Sequence, residues 1–312
     1  MIKSTNCSLY LQILSIFTDP IKNALSFRSL SAYNISITFD GKSTMVYPSG
    51  NSIAVKDFYC KAENGQAVIV KQAKVSEAKS KGIMPLAVVF STSTSTIDVG
   101  NGWSLGYAMA LRDANSGSVL CWSTNTSGQA QKSTHSYTTA KEALEDLDGY
   151  DATHYITDNS LYNSTIFPAF FASVNYESSN AVPRSSSGWY LPSCGQWMRI
   201  LNGLAGLSLK ASNTAADYYF ACETARSRIN TCLANSGETY NVIHGTNSNT
   251  YYDIYYWCSG EYYNSTTYNG TAAIFDRIDA VGKAFTNQGK TLYSTSSSDH
   301  VGQYYARPVI AF

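Results

Sequence analysis

The stretch "LPSCGQWMRILNGLAG" (residues 191–206) marks one helix of this chain from sequence alone. Ser193 and Gln196 are spaced as a capping box, in which each side chain bonds the backbone N–H of the other residue. Apolar residues follow at positions i, i+3, i+4 and i+7, namely Trp197, Ile200, Leu201 and Leu204. This spacing places them on one face, so we expect a helix that starts after Ser193 and packs on a core.

Two further helices are predicted around it. In "SYTTAKEALEDLDG" (136–149), Thr139 and Glu142 form a second capping box, and the chain reaches a glycine stop at Gly149. Its apolar stripe consists of Ala143, Leu144 and Leu147. A weaker helical pattern lies in "CETARSRINTCLANSG" (222–237), which ends at Gly237.

The remaining segments alternate like short strands. Residues 1–79 are interrupted by Gly, Pro, Asn and Asp and predict a β-rich N-terminal segment. "MPLAVVF" (84–90) predicts a buried strand, "GWSLGYAMALRDA" (102–114) and "GSVLCW" (117–122) predict a pair of strands, and "GQYYARPVIAF" (302–312) predicts a terminal strand. The order indicates an α+β fold of mixed short strands with two or three helices, with a main domain over 80–312. From residue 240 we expect a long polar and aromatic loop region.

The low and balanced charge of the chain argues against several classes of binding partner. The chain has 22 basic and 22 acidic residues, and charged residues make up 14% of it. Such a surface does not attract nucleic acid or anionic lipid, so we expect neither nucleic-acid binding nor membrane insertion. Residues 1–17 hold Lys3 followed by "CSLYLQILSIF" (7–17), which fits either a secretory signal or anchor, or a packed N-terminal element.

Metal and cofactor sites are not indicated. The seven cysteines form no C-x-x-C pair, which argues against zinc and leaves their disulfide status open. The acidic residues from residue 240 onward are too widely spaced for a calcium site. They are Asp253, Glu261, Asp276, Asp279 and Asp299. We therefore predict no metal and no cofactor.

One pattern raises a catalytic alternative. "GWSLG" (102–106) matches the G-x-S-x-G nucleophile elbow, with Ser104 as nucleophile and His244 or His300 downstream. That motif requires a strand, a turn and a helix, whereas the residues after Ser104 alternate like a strand. His135 and His154 are expected to be ordinary loop or surface residues. A serine hydrolase remains the enzymatic alternative to a protein without catalysis.

The stretch "TNSNTYYDIYYWCSGEYYNSTTYNGT" (246–271) has the composition of a binding face. Eight tyrosines fall between residues 240 and 268, interleaved with Asn, Ser, Thr and Asp. Antibody paratopes use the same mixture, because rigid aromatic rings supply contact area and small polar groups adapt their hydrogen bonds. We expect this stretch to bind a ligand rather than to cover a core.

Three motifs in order resemble a known group of proteins. "GWYLPSCGQWMRIL" (188–201), "YWCSGEYYNS" (256–265) and "YYARPVIAF" (304–312) are similar to the formylglycine-generating-enzyme-type variant of the C-type lectin fold in Bacteroidetes and phage surface proteins. The resemblance covers about residues 80–312 and departs from the usual pattern at Cys258 and Gly260. It implies a C-type-lectin-like domain after a smaller β-rich segment. The cysteine and copper arrangement of the catalytic branch and the calcium motifs of lectins are not found.

The group includes the variable proteins of diversity-generating retroelements. Those systems mutate adenines, and within 246–271 every residue except Trp257 and Glu261 belongs to the set they reach. The resemblance therefore implies a variable region at about 240–305. Its ligand-binding residues would be Tyr251, Tyr252, Asp253, Tyr255, Tyr262, Tyr263, Asn264, Tyr268 and Asn269. Its scaffold residues would be Trp189, Trp197, Trp257, Glu261 and Arg307.

These observations predict a non-enzymatic adhesion or ligand-binding protein. We expect its partner to be a protein or glycan on another cell or particle. We expect the chain itself to be displayed on a bacterial surface, in the extracellular space or on a phage virion. The competing structural interpretation is a fibre or capsid decoration whose tyrosines pack against copies of itself. Both interpretations allow an oligomer.

Overall fold

The computed structural model describes residues 44–124, 135–159, 162–243, 254–263, 268–275, 281–288 and 304–312. These residues belong to one compact unit that spans 41–312. The fold is mixed α+β, with two sheets and several helices. The expected signal or anchor at 1–17 lies outside the described residues.

The first sheet has six strands in the order β1, β3, β2, β4, β5, β11. They are β1 (Thr44–Tyr47), β2 (Phe58–Lys61), β3 (Ala67–Val70), β4 (Met84–Ser91), β5 (Tyr107–Ala110) and β11 (Val309–Ala311). β1 and β3 are parallel, and the other neighbours are antiparallel. Strands before and after residue 80 therefore share one sheet, although the division into 1–79 and 80–312 as functional segments stays a prediction.

The second sheet has five strands in the order β6, β8, β9, β10, β7. They are β6 (Ser136–Tyr137), β7 (Tyr219–Ala221), β8 (Ile254–Tyr263), β9 (Tyr268–Phe275) and β10 (Val281–Gln288). β6 runs parallel to β8, and the other pairs are antiparallel. The prediction of a loop region from residue 240 was therefore wrong for residues 254–263, 268–275 and 281–288, which form β8, β9 and β10 of this sheet.

Seven α-helices occur within the described ranges. They are α1 (Val75–Lys79), α2 (Thr96–Gly100), α3 (Ala140–Glu145), α4 (Gly149–Thr157), α5 (Pro168–Asn175), α6 (Cys194–Ala205) and α7 (Cys222–Ala234). Both predicted capping boxes are present, at Thr139 of α3 and Ser193 of α6. α3 ends at Glu145, so Gly149 starts the next helix instead of stopping this one. The helices α1, α2, α4 and α5 were not predicted.

α6 is the central helix of the fold. It contacts β4 of the first sheet and β8, β9 and β10 of the second. Two glycines permit this close packing: a Cβ on Gly203 would lie 2.3 Å from the Phe90 carbonyl oxygen, and one on Gly195 would lie 2.1 Å from that of Asp146. Gly206 then ends the helix in the left-handed conformation that glycine adopts without strain.

The C-terminal segment completes the first sheet. β11 pairs with β5, and its Val309 also exchanges two backbone hydrogen bonds with Tyr190. The terminal strand is therefore confirmed. "GSVLCW" (117–122) does not pair with β5, because β4 and β11 already occupy both edges of that strand. The segment makes an isolated bridge from Leu120 to Tyr304 instead.

No helix in the described part of the chain combines the length and apolar character needed to cross a bilayer.

Candidate binding surface

The strands β8 and β9 form an antiparallel hairpin that carries the tyrosine-rich stretch. Their register is interrupted between Cys258 and Glu261, where β8 holds two extra residues, Ser259 and Gly260. Insertion of two residues keeps the alternation of side chains, because the two faces of a strand repeat every second residue. A Cβ on Gly260 would lie 2.3 Å from the Tyr137 ring, so a larger residue has no room there.

The two faces of β8 meet different cores. Tyr256 and Cys258 belong to the main core with Trp197 of α6. Trp257 belongs to a smaller core that includes Trp122 and further aromatic rings. Tyr256, which is not among the predicted ligand-binding residues, is fully buried, and its ring centre lies 5.0 Å from that of Trp197.

Trp257 is fully buried, as predicted. Its indole N–H donates to the Leu120 carbonyl at 2.7 Å, and its ring centre lies 4.5 Å from that of Tyr304. Gly270 on β9 faces this ring, and a Cβ there would approach it to 2.9 Å. Trp257 therefore fills a closed site formed by β9, the Leu120 segment and the C-terminal segment.

Glu261, one of the predicted scaffold residues, is also fully buried. Its backbone N–H donates to the His135 carbonyl at 2.9 Å, and its carboxylate accepts from the Ser136 hydroxyl at 3.3 Å. Glu261 thus joins β8 to β6 through both its backbone and its side chain. This contact fixes the end of β8 from which Tyr262 and Tyr263 project.

Beside Glu261 lies a charged network that sequence reasoning missed. His135 contacts Asp146 through Nδ1 at 3.0 Å and Asp151 through Nε2 at 3.3 Å, and Tyr137 donates its hydroxyl to Asp146. Burial alone would lower the pKa of His135, but the hydrogen bonds and charges of Asp146 and Asp151 raise that pKa to about 9. His135 is therefore a half-buried loop residue whose two carboxylate neighbours favour its cationic form.

The other predicted scaffold residues are buried too. Trp189 and Trp197 are 1% and 0% exposed, and the Trp189 indole donates to the Asn180 carbonyl at 2.8 Å. Arg307 is fully buried and pairs with Asp113 at 2.6 Å. Its remaining N–H groups donate to four backbone carbonyls, those of Ala110, Leu111, Asn241 and Val242. Arg307 thus ties β5 to the segment that leads toward residue 244.

The predicted ligand-binding residues occupy both faces of the hairpin. Tyr255 is half-buried and stacks on Tyr304, with ring centres 4.3 Å apart. Tyr262 is half-buried on the opposite face, 5.5 Å from the Phe285 ring. Tyr263 is half-buried as well, and alternation places it on the same side as Trp257. The structure therefore does not bring these three tyrosines together on one face.

Other members of the predicted set can be placed only in part. Asn269 pairs with Tyr262 across the hairpin and is half-buried. Tyr268 is the first residue of β9 and pairs with Tyr263. Tyr251, Tyr252, Asp253 and Asn264 lie outside the described residues.

An aromatic patch continues from Tyr262 across the sheet. It consists of Tyr262, Phe285, Tyr218 and Tyr219, whose ring centres follow one another at 5.5, 6.4 and 5.3 Å. Lys283 lies over the Tyr219 ring at 5.1 Å, and Tyr219 is exposed. Phe285 on β10 reaches the Tyr262 ring across β9, whereas Tyr219 on the edge strand β7 pairs with Lys283 and lies on the opposite face of the sheet. A search for one continuous tyrosine-rich window could not find this patch.

The residues of the hydrolase alternative are arranged differently from a nucleophile elbow. Ser104 is exposed in the loop between α2 and β5, so the order is helix, loop, strand. The elbow requires strand, turn, helix. His244 and His300, the expected bases, lie outside the described residues, as do Asp276, Asp279 and Asp299. Among the described residues no group of three or more His, Cys, Asp or Glu side chains is arranged to hold a metal ion.

Two cavities lie away from the predicted surface. One of about 630 Å³ is lined by polar residues that include Arg112, Asn115 and Asn175, and one of about 580 Å³ adjoins Lys61 and Glu63. Both share Arg112 and Asn180, whose side chains hydrogen-bond at 2.9 Å. None of the predicted ligand-binding residues that the structure describes lines either cavity.

Comparison with known proteins gives one distant likeness. No protein-family profile matches the sequence, and no curated protein is significantly similar to it. The crystal structure of a fimbrial protein from Bacteroides ovatus ATCC 8483 is similar to this chain with a TM-score of 0.48 and 15% sequence identity. The match covers 83% of this chain and 49% of that one, so the chain spans about half the length of the fimbrial protein. A likeness at this level gives no grounds for assigning a fold family or a function.

Proposed function

We propose that this chain is a non-enzymatic binding protein that displays a tyrosine-rich surface on a C-type-lectin-like scaffold. The partner is a protein or glycan carried by another cell or particle, and the chain is displayed on a bacterial surface or a phage virion. A variable protein of a diversity-generating retroelement is the specific form of this proposal that the sequence motifs favour. The signature motifs and the composition of 246–271 support it.

One structural observation carries the proposal. The middle of β8, from Tyr256 to Glu261, is buried, with Trp257 and Glu261 held by fixed partners, whereas Tyr262 and Tyr263 at its end are half-buried and reach solvent. Such a strand can exchange its exposed side chains without loss of the core, because their contribution to packing is small. A rigid frame that presents aromatic side chains is also what a binding hot spot requires.

The proposal is tested by binding with matched variants. The probes are a printed glycan array and outer-surface preparations from a panel of bacteria. Tyr262→Ser and Tyr263→Ser should each weaken retention at least tenfold for any probe that the parent protein binds, in line with aromatic hot spots. Tyr155→Ser is the control, since Tyr155 is 41% exposed on α4 and lies outside the surface.

Each alternative function predicts a different experimental result. Equal binding by the parent and both hairpin variants would refute the surface. If the parent protein self-associates and Tyr262→Ser abolishes that association, the structural decoration module is favoured instead. Labelling by a fluorophosphonate that is lost in Ser104→Ala would establish the hydrolase. Genes from sibling isolates should differ mainly between residues 240 and 305 if a retroelement diversifies the chain.

A further inference from the structure

The two cavities share a wall at Arg112. Both are lined by Arg112, Tyr176, Ser179 and Asn180, and the larger one, of about 630 Å³, is called the Arg112 cavity below. A volume in this range is typical of small-ligand sites, but such sites are usually lined mainly by apolar side chains. Asparagine and serine supply most of the lining of the Arg112 cavity instead. A ligand that fits this lining must therefore be polar.

Arg112 gives the cavity a positive charge that no neighbour cancels. Its guanidinium donates through Nη2 to the side-chain oxygen of Asn180 at 2.9 Å, and the arginine is exposed. No carboxylate in the described part of the chain makes an ion pair with it. The other charged lining residue, Asp113, is neutralised by the buried Arg307 at 2.6 Å. An anionic group is the complement of this cavity, and a guanidinium binds a carboxylate through two parallel hydrogen bonds.

The asparagines around Arg112 keep hydrogen-bonding groups that the fold does not use. Asn241 accepts from the backbone N–H of Asp113 at 3.1 Å, and its Nδ2 group has no acceptor among the described residues. The side chains of Asn115 and Asn175 make no hydrogen bond to any residue that the structure describes. A side-chain amide both donates and accepts, as a sugar hydroxyl does. Several such amides around one cation match a ligand with many hydroxyls and one carboxylate.

The walls of the Arg112 cavity are fixed by the fold. Asn115 and Ser116 have φ angles of 52° and 55°, in the left-handed region that residues other than glycine rarely adopt. Residues held in such conformations occur preferentially at ligand sites. On a second wall, the Asn180 side chain donates to the Tyr176 carbonyl at 3.2 Å, and the Asn180 carbonyl accepts from the Trp189 indole at 2.8 Å. A site that is ordered in advance loses less entropy when a ligand binds.

We propose that the Arg112 cavity binds an acidic sugar unit of a glycan, with its carboxylate on Arg112 and its hydroxyls on the surrounding asparagines. The Tyr176 ring, which packs edge to face on Trp189 at 5.0 Å, supplies apolar area for the C–H groups of the sugar ring. Peptide recognition relies mainly on strand edges and apolar grooves, whereas this lining is mostly polar. The site does not depend on the hairpin, because none of the described ligand-binding residues predicted there lines it.

The test is an array of glycans that end in glucuronate, galacturonate or N-acetylneuraminate, each printed beside its uncharged methyl ester. The parent protein should retain at least one acidic glycan about tenfold more strongly than the ester. Arg112→Gln keeps a side chain that can bond Asn180 but removes the charge, so it should weaken that retention at least about tenfold. Asn175→Asp adds a carboxylate to the lining and should weaken it as well. Arg184→Gln is the matched control, because Arg184 is also exposed and lines neither cavity.

The hairpin variant Tyr262→Ser separates this site from the proposed binding surface, because it should leave retention of the acidic glycan unchanged. Loss of retention in Tyr262→Ser but not in Arg112→Gln would place the glycan on the hairpin and overturn the inference, while the proposed function would stand. The inference also fails if the parent protein retains none of the acidic glycans, or retains the esters equally well. Displacement of the glycan by hexaglutamate as readily as by the free acidic sugar would show an anion site without selection for sugar, which contradicts the inference.

Discussion

The buried ion pair of Arg307 and Asp113 should be the most sensitive polar contact in the fold. Arg307 donates through Nε to Asp113 at 2.6 Å and through its other nitrogens to four backbone carbonyls at 2.9 to 3.4 Å. Arg307 is 0% exposed and Asp113 is 2% exposed. Arg307→Met fills much of the same volume but removes every donor, so it tests the charge and hydrogen bonds rather than the packing.

The magnitude follows from what the substitution leaves behind. Removal of one partner of a buried pair costs about 3 to 5 kcal/mol, because the other charge stays in the core without compensation. Two of the carbonyls, those of Asn241 and Val242, lie on an irregular segment and lose this donor as well. We therefore expect Arg307→Met to cost about 4 kcal/mol, a large part of the 5 to 15 kcal/mol typical of a domain.

A double-mutant cycle in urea separates the charge from the packing. Asp113→Asn alone should cost about 2 kcal/mol, because Arg307 keeps its carbonyl partners. The double variant should be more stable than the sum of the two single effects by at least 1 kcal/mol, since no uncompensated charge remains. Lys141→Met is the control, because Lys141 makes an exposed ion pair with Glu145 at 3.6 Å. This substitution should change the free energy of unfolding by less than about 0.5 kcal/mol. An Arg307→Met variant as stable as this control, or strictly additive effects, would refute the reasoning.

Three further predictions concern the hairpin and its surroundings. Trp257→Ala should cost about 3 to 5 kcal/mol in urea denaturation through the cavity it leaves, and equal stability to the parent would contradict the scaffold role. Tyr262→Ser should change stability by less than about 1 kcal/mol, whereas Tyr255→Ser should cost about 1 to 2 kcal/mol, because its ring stacks on Tyr304; similar melting temperatures for both variants would argue against that stack. The pKa of His135 is raised to about 9 from an ordinary 6.5, so its contribution is fully present below pH 6.5 and is lost as the pH rises through 9. The contribution of His135 to the free energy of unfolding is at most about 3 kcal/mol. In His135→Gln, the free energy of unfolding should therefore fall less between pH 6.5 and pH 9 than it does in the parent protein.

Local signals allowed the helices with caps to be predicted. The capping boxes at Thr139 and Ser193 involve residues three positions apart, and both are present. The helix over "CETARSRINTCLANSG" is confirmed as α7. α4 was not predicted because it begins at Gly149, which was interpreted as the end of the preceding helix. α5 begins with proline after Phe167, a start that depends on the surrounding core rather than on a cap.

The second sheet could not be predicted because its strands bury polar side chains. Ser259, Glu261 and Thr271 are all fully buried, so the apolar alternation that marks a strand is broken in β8 and β9. The structure satisfies these groups through long-range partners: the Thr271 hydroxyl donates to the Gly260 carbonyl at 2.7 Å, and Glu261 accepts from Ser136. Arg307 likewise meets Asp113, which lies 194 positions away. Such pairings depend on the fold and leave no local pattern.

The division of the tyrosines between two faces changes what the binding surface can be. A flat epitope that covers the whole hairpin would need Tyr255 and Tyr262 on one side, but Tyr255 packs toward the aromatic core of Trp257 and Tyr262 toward Phe285. On the side of Tyr262, the aromatic patch adds Phe285 and Tyr218, each of which is 9% exposed. Tyr219 pairs with Lys283, which pairs with Ile274, and Ile274 pairs with Tyr255, so Tyr219 lies on the side of Tyr255. For a ligand held on the side of Tyr262, Tyr262→Ser should therefore weaken binding more than Tyr219→Ser, and Tyr255→Ser should reduce stability more than binding.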